Sequence, residues 1–332
     1  MTRDELLSLF LTNNGWGTAT RTPLASDASF RTYDRLTQNG QSVILMNSPL
    51  SENPDKFVFF DELLSNTGIC VPQILAKDMA NGFILLEDFG DNTFTKLLNQ
   101  GADEYSLYKQ ALDTLVSIQK NIVLSKTGIE TYTDEQMLNG VLLLPNWFGK
   151  YVLPNGLPAE AIPSFKAIWE KLIQKISSTP KTLVLLDYHV DNLMITPDNK
   201  CGVLDFQDAR LGPIGYDLMS LLEDERRDVS AQVRDNLIND YFRQMPTFDT
   251  PAIRETLPII AMQRHARVIG LFVRLFLRDK KEKYLKMIPF IWELTERHLN
   301  NPIFQDYRDW LNRYIPIETR QKILTKEDFH AQ

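Results

Sequence analysis

The hydrophobic periodicity of this chain changes once, near residue 90, and that change constrains the fold more than any other feature. Before it, residues 29 to 88 carry short runs with strand character: SFRTYDRLT (29 to 37), SVILMN (42 to 47), VPQILA (71 to 76) and GFILLED (82 to 88). Gly40, Pro49 and Gly82 punctuate them. Between the second and third runs, DKFVFFDELLSNTG places Phe57, Phe60, Leu63 and Leu64 on one helical face and offers Gly68 as a stop. A first helix is predicted ahead of them, opened by a capping box of Thr2 and Glu5. The first part therefore reads as a small mixed sheet with a helix.

Beyond residue 92 the apolar period lengthens to that of helices: Leu107, Ala111, Leu115 and Ile118, then Phe165, Trp169, Leu172 and Ile176, then almost everything from 251 to 314. One segment interrupts it. Between 183 and 206, LVLLD, LMIT and CGVLDF read as short strands, with PDNK (197 to 200) as a turn. The composition switches at LEDFGDN (86 to 92), which reads as a hinge. The expected class is α+β: a small α/β lobe over residues 1–88 and a mainly helical lobe over 89–332. A length of 332 residues agrees with two such lobes.

Charge narrows the range of partners. Asp and Glu number 43 against 36 Lys and Arg, a net charge of −7, which disfavours generic binding to nucleic acid or to an anionic membrane. Two cysteines, Cys70 and Cys201, make neither a disulfide framework nor a thiolate zinc cluster. The start of the chain lacks the basic flank and small-residue site of a signal peptide, and no apolar run approaches a membrane span. A cytoplasmic protein is expected.

The residues suited to chemistry lie in the interrupting segment. Asp187 and Asn192 stand five apart between apolar strands, and thirteen residues later Asp205 ends the run GVLD. A carboxylate, an amide and a second carboxylate are what metal-assisted phosphoryl transfer needs: one group to receive a hydroxyl proton, two oxygen ligands to hold Mg²⁺ on nucleotide phosphates. An isolated Asp and Asn at that spacing would more often be turn formers. Asp205 and the ordered flanking motifs favour the catalytic alternative.

The motif D-x-H-x-x-N at 187 to 192, followed by DFQDA at 205 to 209 and GPIGYDL at 212 to 218, resembles the aminoglycoside phosphotransferase family, whose fold is two-lobed and protein-kinase-like. SDASFRTY (26 to 33), LEDFGD (86 to 91), PNWF (145 to 148) and QRHARVIGLFVRL (263 to 275) are similar to segments of its bacterial branch that phosphorylates the anomeric hydroxyl of the cell-wall amino sugars N-acetylmuramate and N-acetylglucosamine. The resemblance implies ATP and Mg²⁺ as cofactors, an amino sugar as small-molecule partner, and a place in peptidoglycan recycling. It makes Asp187 the general base and Asn192 and Asp205 the metal ligands, puts the adenine near Glu87, Asp88 and Phe89, and lets Ala28, Ser29, Phe30 and Arg31 stand in for a phosphate loop. Two positions depart from the family pattern. Leu185-Leu186 stands where His-Gly is usual, and Met46 lies near the place of a phosphate-binding Lys, so that another cation such as Arg31 or Arg35 has to take its part.

Other residues keep two readings at this level. His189 reads as a support that hydrogen-bonds the loop, against a role as ligand or proton carrier. Asp208 contacts a second metal or phosphate, or organises the turn with Arg210; Asp217 reads as an N-cap or loop buttress. Trp147 packs in the core or stacks on a sugar. Arg264 and Arg267, at i, i+3 spacing, form a carboxylate clamp or part of a solvated helix face. Rival functions are an aminoglycoside or choline-type kinase, a metal phosphohydrolase using Asp187, His189, Asp191 and Asp205, and a nucleotide-binding module without turnover.

Overall fold

The computed structural model describes residues 1–24, 30–122 and 128–329. Its helices are α1 (Arg3–Asn13), α2 (Pro54–Ser65), α3 (Phe94–Asn99), α4 (Glu104–Asn121), α5 (Asp134–Val141), α6 (Ala161–Ser177), α7 (Tyr216–Leu222), α8 (Ala231–Gln244), α9 (Pro251–Asp279), α10 (Ile288–His298), α11 (Gln305–Tyr314) and α12 (Ile317–Arg320). Its strands are β1 (Thr20–Pro23), β2 (Thr32–Gln38), β3 (Gln41–Asn47), β4 (Ile74–Asp78), β5 (Phe83–Glu87), β6 (Lys181–Val184), β7 (Leu193–Ile195), β8 (Cys201–Val203) and β9 (Arg210–Pro213). They fall into two compact units, residues 1–127 with 185–209, and residues 128–184 with 210–332.

In the first unit five strands form a sheet in the order β1-β2-β3-β5-β4. Every pairing in it is antiparallel, which corrects the expectation of a mixed sheet. Strand alternation gives the sheet two faces. Leu36, Val43, Leu45, Phe83 and Leu85 pack against Leu7, Phe10 and Leu11 of α1. At about 1.5–3 kcal/mol for each large apolar side chain withdrawn from water, this layer is what holds α1 to the sheet. The capping box forms as expected: Glu5 N–H donates to Thr2 Oγ1 at 3.3 Å, and Thr2 N–H to Glu5 Oε2 at 2.8 Å. Pro54 opens α2 in the first turn, where an N–H has no intrahelical acceptor to lose, and Phe57, Phe60 and Leu64 are buried as the spacing requires. The run VPQILA becomes a strand only from Ile74. Strand β1, exposed at every residue, carries no apolar alternation and was invisible to periodicity.

The second unit is built around α9, 29 residues long and capped by Thr250, whose Oγ1 accepts from Ile253 N–H at 3.2 Å. Its buried face packs on α5, α6, α7, α10 and the π-helical turn Leu144–Gly149. The approach is close at one point, since a Cβ on Gly270 would lie 2.1 Å from the carbonyl carbon of Leu143. Phe165, Trp169, Leu172 and Ile176 of α6 are buried as their period predicts. Strands β6 and β9 pair with each other, and β7 and β8 form a hairpin of their own.

Candidate active site

A hairpin explains why residues thirteen apart meet. Strand β7 pairs with β8 in the register Leu193↔Val203, and Leu204 N–H donates to Asn192 O at 2.9 Å, so the chain just before β7 lies beside the chain just after β8. Thr196, Asp198 and Lys200 close the turn at PDNK, with Asn199 at φ +60°. Asn192 Nδ2 donates to Asp187 O at 2.9 Å and stands 3.5 Å from Asp205 Oδ2. The three sequence-predicted residues therefore converge within the first unit.

The loop between β6 and β7 is anchored along its length. Tyr188 is buried and its hydroxyl donates to Ala111 O of α4 at 2.8 Å. Thr95 of α3 donates its N–H to Val190 O at 3.3 Å and its hydroxyl to Asp191. His189 is buried with Nε2 3.4 Å from Asn192 Nδ2, in keeping with the supporting role. Two non-glycine residues here have left-handed backbone, Leu186 just before Asp187 at φ +73° and Asp205 itself at φ +56°. Such conformations cost of order 1–3 kcal/mol and cluster at functional sites. Asp tolerates this region, whereas Leu occupies it where a Gly would be relaxed.

The electrostatics favour a cation. Asp205 is an exposed residue, yet its carboxyl is held above the usual range. Desolvation by its surroundings is the main cause, and Asp187 and Asp208 add repulsion; a hydrogen bond from Gln207 and the charge of Arg31 oppose it. Gln207, buried, donates to Asp205 Oδ1 at 2.7 Å and lies 3.5 Å from Asp208 Oδ2. In the sequence nothing marks it apart from its place inside DFQDA. The described side-chain bonds of Asn192 use only its amide nitrogen, which leaves its amide oxygen for a ligand. These residues fit a divalent ion that takes its remaining ligands from phosphate and water.

Of the expected nucleotide residues, Ala28 and Ser29 lie outside the described residues. Phe30 is 79% exposed and Arg31 buried. Phe89 is buried, its ring so close to β8 that a Cβ on Gly202 would come within 2.6 Å of it. Glu87 exchanges hydrogen bonds with Gln73, and Asp88 is engaged by Arg35 at 2.7 Å, so this segment offers a ligand its backbone more than these side chains. Burial pushes the Cys201 thiol up to about 12, which fits the packing role.

In the second unit, Trp147 is half-buried, its ring 5.6 Å from that of Tyr151, while neighbouring Phe148 goes to the core against Trp292. Arg264 is only 3% exposed and lies 5.6 Å from the ring centre of Tyr216. Arg267 is half-buried beside Tyr132. A solvated helix face is thereby ruled out for Arg264, because α9 is buried on most of its circumference. Asp217 is fully buried inside α7, and Gly215 at φ +87° holds the N-cap position instead. Arg210 pairs with Glu130.

A family model described as "Phosphotransferase enzyme family" matches residues 20–255. A protein of Caulobacter vibrioides named N-acetylmuramate/N-acetylglucosamine kinase is 30% identical, covering 96% of this chain and 98% of its own. A protein of the same name from Pseudomonas aeruginosa is 34% identical, covering 88% of each chain. Among solved structures, a choline/ethanolamine kinase family protein from Mesorhizobium loti superposes with a TM-score of 0.65 at 12% identity, over 94% of this chain and 100% of that one. ADP-bound aminoglycoside phosphotransferase APH(2'')-Ib gives 0.57 at 16% identity, over 85% and 95%. These likenesses show the protein-kinase-like fold.

Proposed function

The chain belongs to the phosphotransferase enzyme family, and we propose that it is an ATP- and Mg²⁺-dependent kinase that phosphorylates the anomeric hydroxyl of N-acetylmuramate or N-acetylglucosamine. The observation that carries the chemistry is the convergence of Asp187, Asn192 and Asp205 across one hairpin. The names and coverage of the relatives support the substrate class. Asp187 accepts the proton of the attacking hydroxyl, and Asn192 Oδ1 with Asp205 would hold Mg²⁺, which supplies neutralising charge at the phosphates when bound. An anomeric hydroxyl is more acidic than an ordinary alcohol, so a weak carboxylate base suffices and positioning does most of the work.

Residues 1–88 serve as the nucleotide lobe and 89–332 as the lobe of the catalytic loop, the metal and the sugar. Sugar recognition falls to Trp147, Arg264 and Arg267, with His189, Asp208 and Asp217 in support. Among the described residues no helix is long and apolar enough to cross a membrane, which suits a cytoplasmic enzyme of peptidoglycan recycling. The test is incubation of the purified chain with Mg-ATP and a panel of amino sugars, aminoglycosides and choline, followed by ³¹P NMR. A C1 phosphate on an amino sugar is expected. Phosphate at C6, or transfer only to another acceptor, would overturn the assignment.

A further inference from the structure

A kinase sheet needs a cation for the nucleotide phosphates, and β3 presents Met46, fully buried, near the position the family resemblance assigns to Lys. The register shows where positive charge has gone. Tyr33 pairs with Met46 and Arg35 with Ile44, on the face opposite the Leu36, Val43 and Leu45 layer that packs on α1. Arg31 stands two residues before Tyr33, just ahead of β2, and is buried. Two guanidiniums thus border the face from which lysine is missing.

Their surroundings separate them. Arg35 is committed to the segment after β5: Nε lies 2.7 Å from Asp88, Nη1 2.8 Å from Asp91, and Nη2 donates to Gly90 O at 3.0 Å. Its guanidinium ties that turn to the sheet. Arg31 is held from the other side, donating to Glu52 O at 3.1 Å with the Glu52 carboxylate 3.7 Å away, just ahead of α2. The charge of Arg31 also acts on the Tyr33 phenol, against the burial that raises it to about 12. The charge of Arg31 also reaches Asp205, where it counters the repulsion from Asp187 and Asp208.

We propose that Arg31, aligned by Glu52, is the phosphate-binding cation of this enzyme, an arginine–glutamate pair at the entry to β2 replacing the lysine–glutamate pair of kinases. This rests on the kinase reading above and names the group that recognises the nucleoside di- or triphosphate. A planar guanidinium with several fixed donors can grip Glu52 and a phosphate together, which suits it to the exchange.

The test is calorimetric binding of adenosine, AMP and ADP, each with Mg²⁺ and with EDTA. Arg31→Gln should weaken ADP more than tenfold, AMP less and adenosine not at all, with the larger loss in EDTA, where no metal shares the phosphate charge. Glu52→Gln should weaken ADP severalfold in the same phosphate-dependent order. Arg35→Gln should affect adenosine and ADP alike. Met46→Lys added to Arg31→Gln should recover part of the ADP affinity. Equal losses for adenosine and ADP in Arg31→Gln, or a phosphate-dependent loss in Arg35→Gln alone, would overturn the assignment. If Arg31→Gln folds poorly, Glu52→Gln decides, and ADP binding as in the wild type then counts against the pair. A wild-type chain that binds none of the three would overturn the kinase reading itself.

Discussion

The side-chain amide of Asn192 donates to the backbone carbonyl of Asp187 at 2.9 Å, so the proposed metal ligand also closes the turn that carries the proposed base. One substitution should therefore disturb both. Asn192→Ala is expected to cost about 1 kcal/mol of stability for the lost hydrogen bond and to lower kcat by about a hundredfold or more. Asn192→Asp keeps an oxygen ligand but not the donor, and should melt like the Ala variant. A melting temperature unchanged in both would show that the bond does not organise the loop.

Asp187 and Asp205 should separate by readout. Asp187→Asn is expected to lower kcat by about 10²–10⁴-fold with ADP affinity unchanged, since its partner is the acceptor hydroxyl. Asp205→Asn should nearly abolish turnover and raise the Mg²⁺ concentration needed for nucleotide binding, because it removes charge where phosphate repulsion is greatest. Nucleotide affinity measured across a Mg²⁺ titration tells them apart. Equal weakening of ADP by both variants would make Asp187 a metal or structural residue.

Leu186 at φ +73° offers a test of backbone strain beside the base. A left-handed leucine costs about 1–2 kcal/mol. Leu186→Gly relieves this while losing a half-buried side chain and adding freedom to the unfolded chain, so stability should stay within about 1 kcal/mol of wild type. Leu185→Gly, by contrast, removes a side chain only 2% exposed and should cost about 2–5 kcal/mol, as other large-to-small core changes do. Equilibrium denaturation of the two variants decides it. Similar losses would mean that the positive φ carries no strain.

The same residue shows what was legible in the sequence. His-Gly replaced by Leu-Leu was visible as a departure, but the conformation that favours glycine there belongs to the folded backbone. The meeting of Asp187, Asn192 and Asp205 was legible because a fixed spacing across a hairpin is written in order along the chain. Gln207 and Glu52 could not, because each acts through a partner brought to it by folding: Asp205 for one, Arg31 for the other. The helices of the second unit were readable from long apolar periods, whereas β1 and β9 are four residues each and have no such period. Arg264 looked like a solvated residue because charge in a sequence gives no hint of an aromatic ring waiting beside it.

Stability in acid should depend on a buried histidine in α9. Desolvation pushes His265 down to about 4, although Glu223 favours its charged form. Glu223, which burial alone would raise, is held below its usual range by His298, by His265 and by Arg234. Between the ordinary histidine value near 6.5 and about 4, the unfolded chain binds a proton that the folded chain refuses. His265 therefore contributes stability above that window and loses it as pH falls through it, by about 3 kcal/mol at most. Glu223, with a depressed value, adds a loss in the same direction at the acid end. His265→Gln should flatten the stability profile between pH 6.5 and 4.5, as measured by denaturant melts at each pH. A profile parallel to that of the wild type would place the acid sensitivity elsewhere.

The lactyl carboxylate that distinguishes N-acetylmuramate from N-acetylglucosamine gives the sharpest test of the sugar assignment. A half-buried carboxylate is held best by a guanidinium, and α9 carries Arg264 and Arg267 one turn apart. They are not equivalent. Arg264, almost fully buried against Tyr216, should lose stability on truncation to alanine, with turnover of both sugars falling as the folded fraction falls. Arg267 is half-buried and closer to solvent, so Arg267→Ala is the cleaner probe. It should raise KM for N-acetylmuramate more than tenfold, the equivalent of one charge-assisted bond of about 1.5–3 kcal/mol. KM for N-acetylglucosamine, which has no carboxylate to hold, should change less than threefold. Arg267→Lys should restore part of the difference, since it keeps the charge and loses the fork. Equal losses for the two sugars would assign Arg267 to the packing around Tyr132 and leave the carboxylate to another group.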